Sequence, residues 1–252
     1  VGPATVRRPS GRAAGRTADR PAYNPPMTPE RSRCLDTLVE LILRVDRPHP
    51  VRVAIDGPDA AGKTILADEL TPLVARSGRP VIRASIDGFH RPRAERIARG
   101  PESPEGYYRD SFDYATLRAA LLDPLGPGGS LEYRRRAFDF RTDHPVAAPT
   151  EVASPHAVLL FDRVFLLRPE LADEWDLRVF VAVPFAETQR RAAERDVALF
   201  GSQEQVRRRY EARYVPGQML YFDEARPREN ADVVVDNEDL DRPRLVVHTP
   251  NT

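Results

Sequence analysis

The sequence predicts an α/β fold in which helices cover both faces of a mainly parallel, five-stranded sheet. Five short apolar segments have the length and the β-branched content of buried strands. Segments with apolar residues three or four positions apart, typical of amphipathic helices, lie between them. Several of the strand segments end in an acidic residue or lead into a glycine-rich turn. This alternation of strands and helices indicates a doubly wound sheet with a helical layer on each side.

The predicted elements follow one another from residue 31 onward. A first helix is expected over 31–43, where leucine, valine and isoleucine recur at near-helical spacing. The five strands are expected at 51–55, 81–86, 157–162, 177–183 and 231–235. Further helices are expected at 65–74, 113–122, 184–196 and 207–214, with short ones after 169 and up to 224. The polar segment 91–113 is predicted to be a long loop, and 131–140 a hairpin.

The segment from Gly57 to Thr64, GPDAAGKT, fits the phosphate-binding P-loop pattern G-x-x-x-x-G-K-[ST] between a strand and a helix. Two glycines allow the backbone to curl so that its N–H groups point at phosphate oxygens. Lys63, the only lysine in the chain, is expected to reach the terminal phosphates as a compact charge that arginine cannot replace. The predicted ATP site comprises Gly57, Asp59, Ala60, Ala61, Gly62, Lys63, Thr64 and Ile65.

Three acids lie at the predicted carboxyl ends of strands, where ligands bind in open parallel sheets. Asp56 directly precedes the P-loop and is interpreted as a structural turn residue. Asp87 is predicted to be the catalytic carboxylate that orients an acceptor hydroxyl and takes its proton, with an Asx turn as the alternative. Asp162 follows four apolar residues and is predicted, with Thr64, to hold Mg²⁺ directly or through water. The alternative for Asp162 is a cap of the next element.

Arginines cluster on the helix predicted after the fourth strand, at Arg190, Arg191 and Arg195. Such a cluster is usually a solvated face, and Glu187 can pair with Arg191 one helical turn away. In a phosphoryl-transfer enzyme the same arginines would neutralise charge on the transferred group. The spacing alone leaves both interpretations open.

Composition excludes several classes of protein. The formal net charge of +0 gives no general electrostatic attraction to nucleic acid or to a membrane surface. A single cysteine, Cys34, excludes a disulfide framework and suits a cytoplasmic location. No apolar run is long enough to span a bilayer. Residues 1–30 are rich in Arg, Pro, Gly and Ala, which predicts a disordered leader before a single domain over 31–248.

Two other classes of nucleotide-binding protein lack their signatures here. A GTPase switch needs an [NT]-K-x-D motif to read the base, and Lys63 is already used in the P-loop. A transporter-type ATPase needs a second glycine-rich signature such as S-G-G-Q, which the segment 128–130 does not resemble. A nucleotide-binding protein with little or no catalytic activity remains an alternative, as does a kinase.

In the order and spacing of its motifs the sequence resembles the uridine kinase and phosphoribulokinase family over roughly residues 50–238. The marks are the P-loop, Ile-Asp-Gly-Phe-His at 86–90, Asp-Ser-Phe-Asp at 110–113, Ala-Phe-Asp-Phe at 137–140, Asp162 after its apolar strand, Trp-Asp-Leu-Arg-Val-Phe at 175–180 and Arg-Arg-Ala-Ala-Glu-Arg-Asp at 190–196. The resemblance implies a three-layer P-loop kinase fold with a small substrate-cap hairpin and an arginine-bearing lid at about 190–214.

The resemblance further implies an ATP- and Mg²⁺-dependent kinase that acts on the primary hydroxyl of a small molecule, and it is compatible with a homo-oligomer. Uridine or cytidine is the first expectation, with pantothenate, a sugar or a modified nucleoside as alternatives. Asp87, Lys63, Arg191 and Arg195 are then catalytic. The acceptor pocket would include Phe89, His90, Tyr108, Phe138, Phe140 and His144.

Departures from the family pattern affect the acceptor more than the reaction. Phe138 stands where these kinases usually carry a tyrosine, and His144 is displaced from the usual histidine. Tyr107 and Tyr108 replace the family's usual Phe-Asp-His-Pro motif. Arg163 follows Asp162 where the family usually has glycine, so a bulky cation there is expected either to touch phosphate or to crowd the site.

Overall fold

A computed structural model describes residues 27–248. The leader predicted over 1–30 lies outside the described residues except for its last four. Of these, Pro29 and Glu30 already belong to the first helix, which the Thr28 hydroxyl caps by accepting a hydrogen bond from the Arg31 N–H at 3.1 Å. The helix therefore begins two residues before the predicted start.

The central layer is a six-stranded sheet, and two small ladders lie outside it. The strands are β1 (Val51–Asp56), β2 (Val81–Ser85), β3 (Glu132–Tyr133), β4 (Phe138–Asp139), β5 (His144–Pro145), β6 (Glu151–Val152), β7 (Val158–Asp162), β8 (Leu177–Ala182), β9 (Val233–Asp236) and β10 (Arg244–Val247). The α-helices are α1 (Pro29–Arg44), α2 (Lys63–Ala75), α3 (Arg93–Arg96), α4 (Pro104–Asp110), α5 (Tyr114–Leu117), α6 (Phe185–Arg195), α7 (Val197–Phe200), α8 (Gln203–Arg209) and α9 (Val215–Ala225). Short 3₁₀ turns cover Ile86–Phe89 and Ala172–Glu174, and π-helical turns cover Arg118–Leu122 and Tyr210–Tyr214.

Strand order in the sheet is β10-β9-β8-β1-β7-β2. The five predicted strands run parallel, as expected, and β10 joins the edge antiparallel to β9. Strand β10 was not predicted because its four residues lie on an edge of the sheet. Val246 and Val247 are half exposed there, so the segment lacks the apolar pattern of a buried strand. The P-loop follows β1, which lies between β8 and β7, so strands flank the loop on both sides.

The two faces of the sheet are buried against different layers. On one face, Val53 and Val179 pack against the apolar sides of α1 and α2. On the other face, Phe161 and Phe180 contact an aromatic core that α4, α5 and α9 contribute to. Successive strand residues point to opposite cores. Because both cores are apolar, whole strands are continuous apolar runs in the sequence. None of the helices within residues 27–248 combines the length and the apolar character needed to cross a bilayer.

The segments predicted as a loop and a hairpin have more structure than expected. Residues 91–113 contain α3 and α4, and α4 begins with a serine cap: the Gly106 N–H donates to Ser103 Oγ at 3.0 Å. The long-loop prediction was wrong because a helix this short leaves almost no periodic signal. The prediction of a hairpin within 131–140 was wrong: β3 and β4 lie in this range, but β3 pairs with β6 and β4 with β5, so each ladder needs a strand beyond residue 140.

Asp113 caps the start of α5, as predicted. Its carboxylate accepts the Thr116 backbone N–H at 3.0 Å and the Thr116 hydroxyl at 2.6 Å. These bonds satisfy backbone donors that a helix start otherwise leaves unpaired. The helix then continues as the π-helical turn to Leu122, where the prediction ended.

Asp113→Ala should lower the free energy of unfolding by about 1 kcal/mol, because it leaves the first turn of α5 uncapped. Denaturant unfolding followed by far-UV circular dichroism measures this loss. Asp113→Asn is the matched control, since asparagine caps helices about as well as aspartate. Equal destabilisation by alanine and asparagine would show that the charge of Asp113, and not its capping bond, is what matters.

Candidate active site

The P-loop is shaped by two glycines at which a side chain has no room. Gly57 has a φ of 141°, and a Cβ there would lie 2.3 Å from the carbonyl oxygen of Val181 on β8. Gly62 has a φ of 96°, and its Cβ would lie 2.7 Å from Asn237 Nδ2. Both positions therefore need glycine for conformation and for close approach. This cradle is what a phosphate-binding loop requires.

Lys63 is buried at the start of α2 and folds back onto the loop. Its ammonium donates to the carbonyl of Gly57 at 2.8 Å and to that of Pro58 at 2.5 Å. Burial lowers the pKa of Lys63 to about 8, against the opposing effect of Asp59 and other acids. The ammonium is thus held within the loop, where a phosphate could replace the two carbonyls as its partner.

The Asp56 side chain holds Gly57, the first residue of the loop, from the buried side. Its carboxylate accepts the Gly57 N–H at 2.7 Å, the Leu167 N–H at 3.2 Å and the Tyr221 hydroxyl. The side chain is fully buried, and burial raises its pKa to about 6 although these donors oppose the rise. This arrangement supports the structural interpretation of Asp56.

Asp59 ties the loop to α4 and α9. Its Oδ2 accepts the Tyr107 hydroxyl at 2.6 Å, and its backbone N–H donates to Gln218 Oε1 at 2.7 Å. The two helices meet tightly there, since a Cβ on Gly217 would lie 2.8 Å from both the Tyr107 ring and the Pro104 carbonyl oxygen. Asp59 was predicted as part of the ATP site. In the structure it also connects the P-loop to α4 and α9.

Thr64 and Asp162 meet as predicted for a magnesium site. The exposed Thr64 hydroxyl donates to Asp162 Oδ2 at 2.5 Å. The other carboxylate oxygen of Asp162 accepts from Arg83 Nη1 at 3.1 Å. Hydroxyl and carboxylate oxygens are ligands that suit Mg²⁺, so these residues fit the ion. Arg83 holds Oδ1, so Oδ2, on the Thr64 side, is the Asp162 oxygen that would face the ion, directly or through water.

Asp87 lies at the end of β2 and forms an ion pair with Arg163 at the end of β7. The distance from Arg163 Nη2 to Asp87 Oδ2 is 2.5 Å, with the side chains 32% and 27% exposed respectively. Burial raises the pKa of Asp87, but Arg163, His90 and Lys63 together bring it below its ordinary value. Asp87 is therefore a carboxylate at neutral pH. The predicted alternative of a simple turn residue does not account for this pairing.

An aromatic wall stands beside Asp87. The His90 ring lies 4.6 Å from that of Phe112 and 4.8 Å from that of Phe140, centroid to centroid. His90 Nδ1 is 3.1 Å from the Asp87 carbonyl oxygen, and burial lowers the pKa of His90, which favours the neutral imidazole. His90 and Phe140 are both partly exposed, so a planar ligand could reach them.

The other predicted pocket residues are placed differently. Phe89 and Tyr108 lie in the aromatic core, 1% and 0% exposed, so the structure gives them a packing position and no open surface. Phe138 is also mostly buried, on β4 of the cap. His144 is exposed on β5, opposite Asp139. Of the predicted pocket residues near Asp87, the structure therefore leaves His90 and Phe140 partly accessible, and not Phe89 or Tyr108.

The lid arginines are held by different partners. Arg191 donates to Glu187 at 2.7 Å, as the helical spacing predicted, and to the carbonyls of Asn237 and Glu238 at 3.0 and 2.8 Å. Its Nη1 is buried without a hydrogen-bond partner. Arg191 Nη1 is therefore an unused donor beside Asn237, the residue that contacts the P-loop.

Arg195 is held by the residue that follows it. Its guanidinium donates two bonds of 2.8 Å to Asp196 and lies 3.3 Å from the Tyr210 hydroxyl. Tyr210 belongs to a small apolar cluster against which Ala60 of the P-loop packs, so the partner of Arg195 lies beside the loop. Arg190, in contrast, pairs with Glu187 and Glu194 on the exposed side of the helix.

Three residues at the site were not predicted from the sequence. Asn237, 4% exposed, donates from Nδ2 to the Ala61 carbonyl at 2.7 Å and so fixes the P-loop from β9. Gln218 and Arg83 hold Asp59 and Asp162 as described above. Asn237 directly follows the fifth strand, so the rule that placed Asp87 and Asp162 could have found it. No comparable signal marks Gln218, which depends on how α9 packs.

Comparisons with solved structures identify the fold. A possible uridine kinase from Bacillus stearothermophilus is 23% identical, with a TM-score of 0.64 over 81% of this chain and 97% of that chain. The chain has the P-loop kinase fold. A candidate fructose transport system kinase from a Silicibacter species is 22% identical, with a TM-score of 0.62 over 78% of this chain and 94% of that chain.

A D-glycerate 3-kinase from Cryptococcus neoformans var. grubii shares the same P-loop kinase fold at 12% identity. Its TM-score is 0.55, and the match covers 81% of this chain and 94% of that chain. No known family profile matches the sequence, and no curated protein matches it either. At these identities the similarity concerns the fold, which agrees with the uridine kinase-like fold expected from the motifs.

Gly57→Ala should abolish binding of an ATP analogue, because its Cβ would overlap a backbone carbonyl that cannot move without distorting β8. Gly128→Ala is the matched control: Gly128 also has a positive φ, of 70°, but nothing lies within 4 Å of its Cβ position. The control should lose about 1 kcal/mol of stability and keep binding. Calorimetric titration with Mg·AMPPNP measures both, and similar binding by the two variants would contradict the close-approach argument.

Proposed function

We propose that this protein is an ATP-dependent phosphotransferase that phosphorylates the primary hydroxyl of a small molecule, with uridine or cytidine as the first acceptor to consider. The observation that carries the proposal is the placement of Asp87, two residues after Ser85, which pairs in register with the Asp162 that accepts the hydroxyl of the P-loop residue Thr64. A carboxylate beside the phosphate end of a P-loop is suited to accept the proton of an attacking hydroxyl.

The proposed step transfers the γ-phosphoryl group of ATP to the acceptor oxygen. The acceptor oxygen forms a bond to the γ-phosphorus of ATP while the bond from that phosphorus to the β,γ-bridging oxygen breaks, so ADP leaves. The acceptor proton passes to the Asp87 carboxylate. Lys63 and the backbone N–H groups of the loop stabilise charge on the phosphates. Mg²⁺, held by Thr64 and by Asp162 directly or through water, would supply further charge neutralisation when bound.

The lid arginines have a supporting part in this proposal. Arg191 has one buried donor without a partner, beside the Asn237 that contacts the P-loop. Arg195 is hydrogen-bonded to Tyr210, which lies in the apolar cluster that Ala60 of the P-loop packs against. Both could neutralise the transferred phosphoryl group if the lid moves closer to the nucleotide.

A nucleoside acceptor is supported by the partly exposed rings of His90 and Phe140, which lie 4.8 Å apart, with His90 Nδ1 3.1 Å from the Asp87 carbonyl oxygen. Aromatic faces suit a pyrimidine ring, which can stack on them while its sugar hydroxyl approaches the carboxylate. The structures that share the fold differ in their stated acceptors, naming uridine, fructose transport and D-glycerate. Sugars and small hydroxy acids are therefore the second class of acceptor.

Asp87→Asn should reduce phosphotransfer at least about a hundredfold, since the amide cannot take the acceptor proton. Binding of Mg·ADP should persist, because the change leaves the P-loop intact. Asp232→Asn is a matched control: Asp232 also pairs with an arginine, Arg178 at 2.7 Å, but beside the amino ends of β8 and β9. Coupled ADP-release assays compare the variants, and an active, folded Asp87→Asn enzyme would refute the assigned role.

An acceptor screen tests the reaction itself. ATP and Mg²⁺ are incubated with uridine, cytidine, D-glycerate, fructose or pantothenate, and the products are identified by mass. We expect ADP release that depends on one acceptor class and a product heavier by one phosphoryl group. ADP formed equally without any acceptor, or no ADP at all, would instead support a slow hydrolase or a nucleotide-binding protein.

A further inference from the structure

Arg163 occupies the carboxylate to which the proposed function assigns the acceptor proton. Its Nη2 lies 2.5 Å from Asp87 Oδ2, so this oxygen is engaged before any ligand arrives. An acceptor hydroxyl that is to be deprotonated needs an oxygen of Asp87 as its own hydrogen-bond partner. The ion pair therefore takes one of the two carboxylate oxygens of Asp87 and stabilises its ionised form, which disfavours transfer of the acceptor proton to it.

Arg163 also lies next to the P-loop in the sheet. It directly follows Asp162, whose Oδ2 accepts the Thr64 hydroxyl at 2.5 Å, and its N–H donates to the carbonyl of Ile55, two residues before Gly57. The charges of Asp59 and Asp162 act on its guanidinium, in agreement with this position. A guanidinium forms charge-assisted bonds with phosphate as well as with carboxylate.

The backbone at Arg163 is held in a conformation that costs free energy. Its φ is 135°, a region that residues other than glycine rarely adopt. The Arg163 N–H donates to the Ile55 carbonyl on β1 at 3.2 Å, which fixes the residue at the sheet edge. Arg83 already pairs with Asp162, so Arg163 is not needed to neutralise that acid. An arginine maintained in a glycine-like conformation indicates a use for its side chain at this position.

Resting on the proposed function, we propose that Arg163 is a positioning residue that exchanges Asp87 for the terminal phosphate of the bound nucleoside triphosphate. Without a triphosphate, Arg163 stays on Asp87 and keeps the carboxylate from the acceptor. When the γ-phosphate is present, Arg163 contacts it and releases Asp87. The carboxylate thus becomes available to the acceptor only after the phosphoryl donor is in place.

The exchange is tested by binding and by structure, neither of which requires turnover. Titrations with Mg·AMPPNP and Mg·ADP are compared for the wild-type chain, Arg163→Gly and Arg163→Lys. Loss of one charge-assisted contact to the γ-phosphate should weaken Mg·AMPPNP about tenfold in Arg163→Gly, with Mg·ADP changed less than about twofold. Arg163→Lys should retain part of the preference. Glycine fits the observed φ, so the first variant is expected to fold.

Arg178→Ala is the matched control, because Arg178 forms a similarly exposed ion pair with Asp232 away from the P-loop. It should change neither titration. Crystal structures of the wild-type chain should show the Arg163–Asp87 ion pair with Mg·ADP and its loss, with Arg163 on the γ-phosphate, in the Mg·AMPPNP complex.

Two outcomes would overturn the inference. If Arg163→Gly weakens both nucleotides equally, or neither, Arg163 does not distinguish the γ-phosphate. If the ion pair persists in the Mg·AMPPNP complex, no exchange occurs. In both cases phosphotransfer in the acceptor screen would leave the proposed function standing. Conversely, an intact exchange in a chain that phosphorylates no acceptor would refute the proposed function and keep Arg163 as a residue that responds to the γ-phosphate.

Discussion

The close approach of Gly57 to the Val181 carbonyl is the constraint on which the rest of the site depends. With a Cβ position only 2.3 Å from that oxygen, the chain leaving β1 has room for glycine alone. Asp56 then fixes the turn from the core by accepting the Gly57 N–H, and Asn237 fixes the far side of the loop through Ala61. The shape of the loop is therefore set by β1 and by the neighbouring strands β8 and β9 before any nucleotide binds.

Charges around this loop are arranged in pairs, and the pairs divide the site into regions. Thr64, Asp162 and Arg83 form one group at the end of β7, suited to an ion. Asp87 and Arg163 form a second group towards the cap. Buried or half-buried charges need such partners, because desolvation without them would be costly. A ligand that brings its own charge can consequently change which side chains are paired.

The features that the sequence predicted are those in which a local pattern requires a particular residue type. The P-loop, the acids after β2 and β7, the cap at Asp113 and the five parallel strands each have a local signal, such as a glycine spacing or an apolar run. Prediction failed where structure depends on distant partners. The helix α4 and the edge strand β10 are short, and the cap strands β3 and β6 pair across 18 residues, so nothing local marks them.

By itself, the sequence determined the fold and the phosphate-binding loop, because periodicity and glycine spacing reflect backbone geometry that does not depend on the rest of the chain. Only the tertiary structure decided which predicted pocket residues are accessible. Phe89 and Tyr108 lie close to motif positions along the chain, yet they are buried in the aromatic core, whereas His90 and Phe140 are partly exposed and their rings lie 4.8 Å apart. The engagement of Asp87 by Arg163 was likewise decided by packing, since β2 and β7 are neighbours in the sheet but 77 positions apart at Ser85 and Asp162.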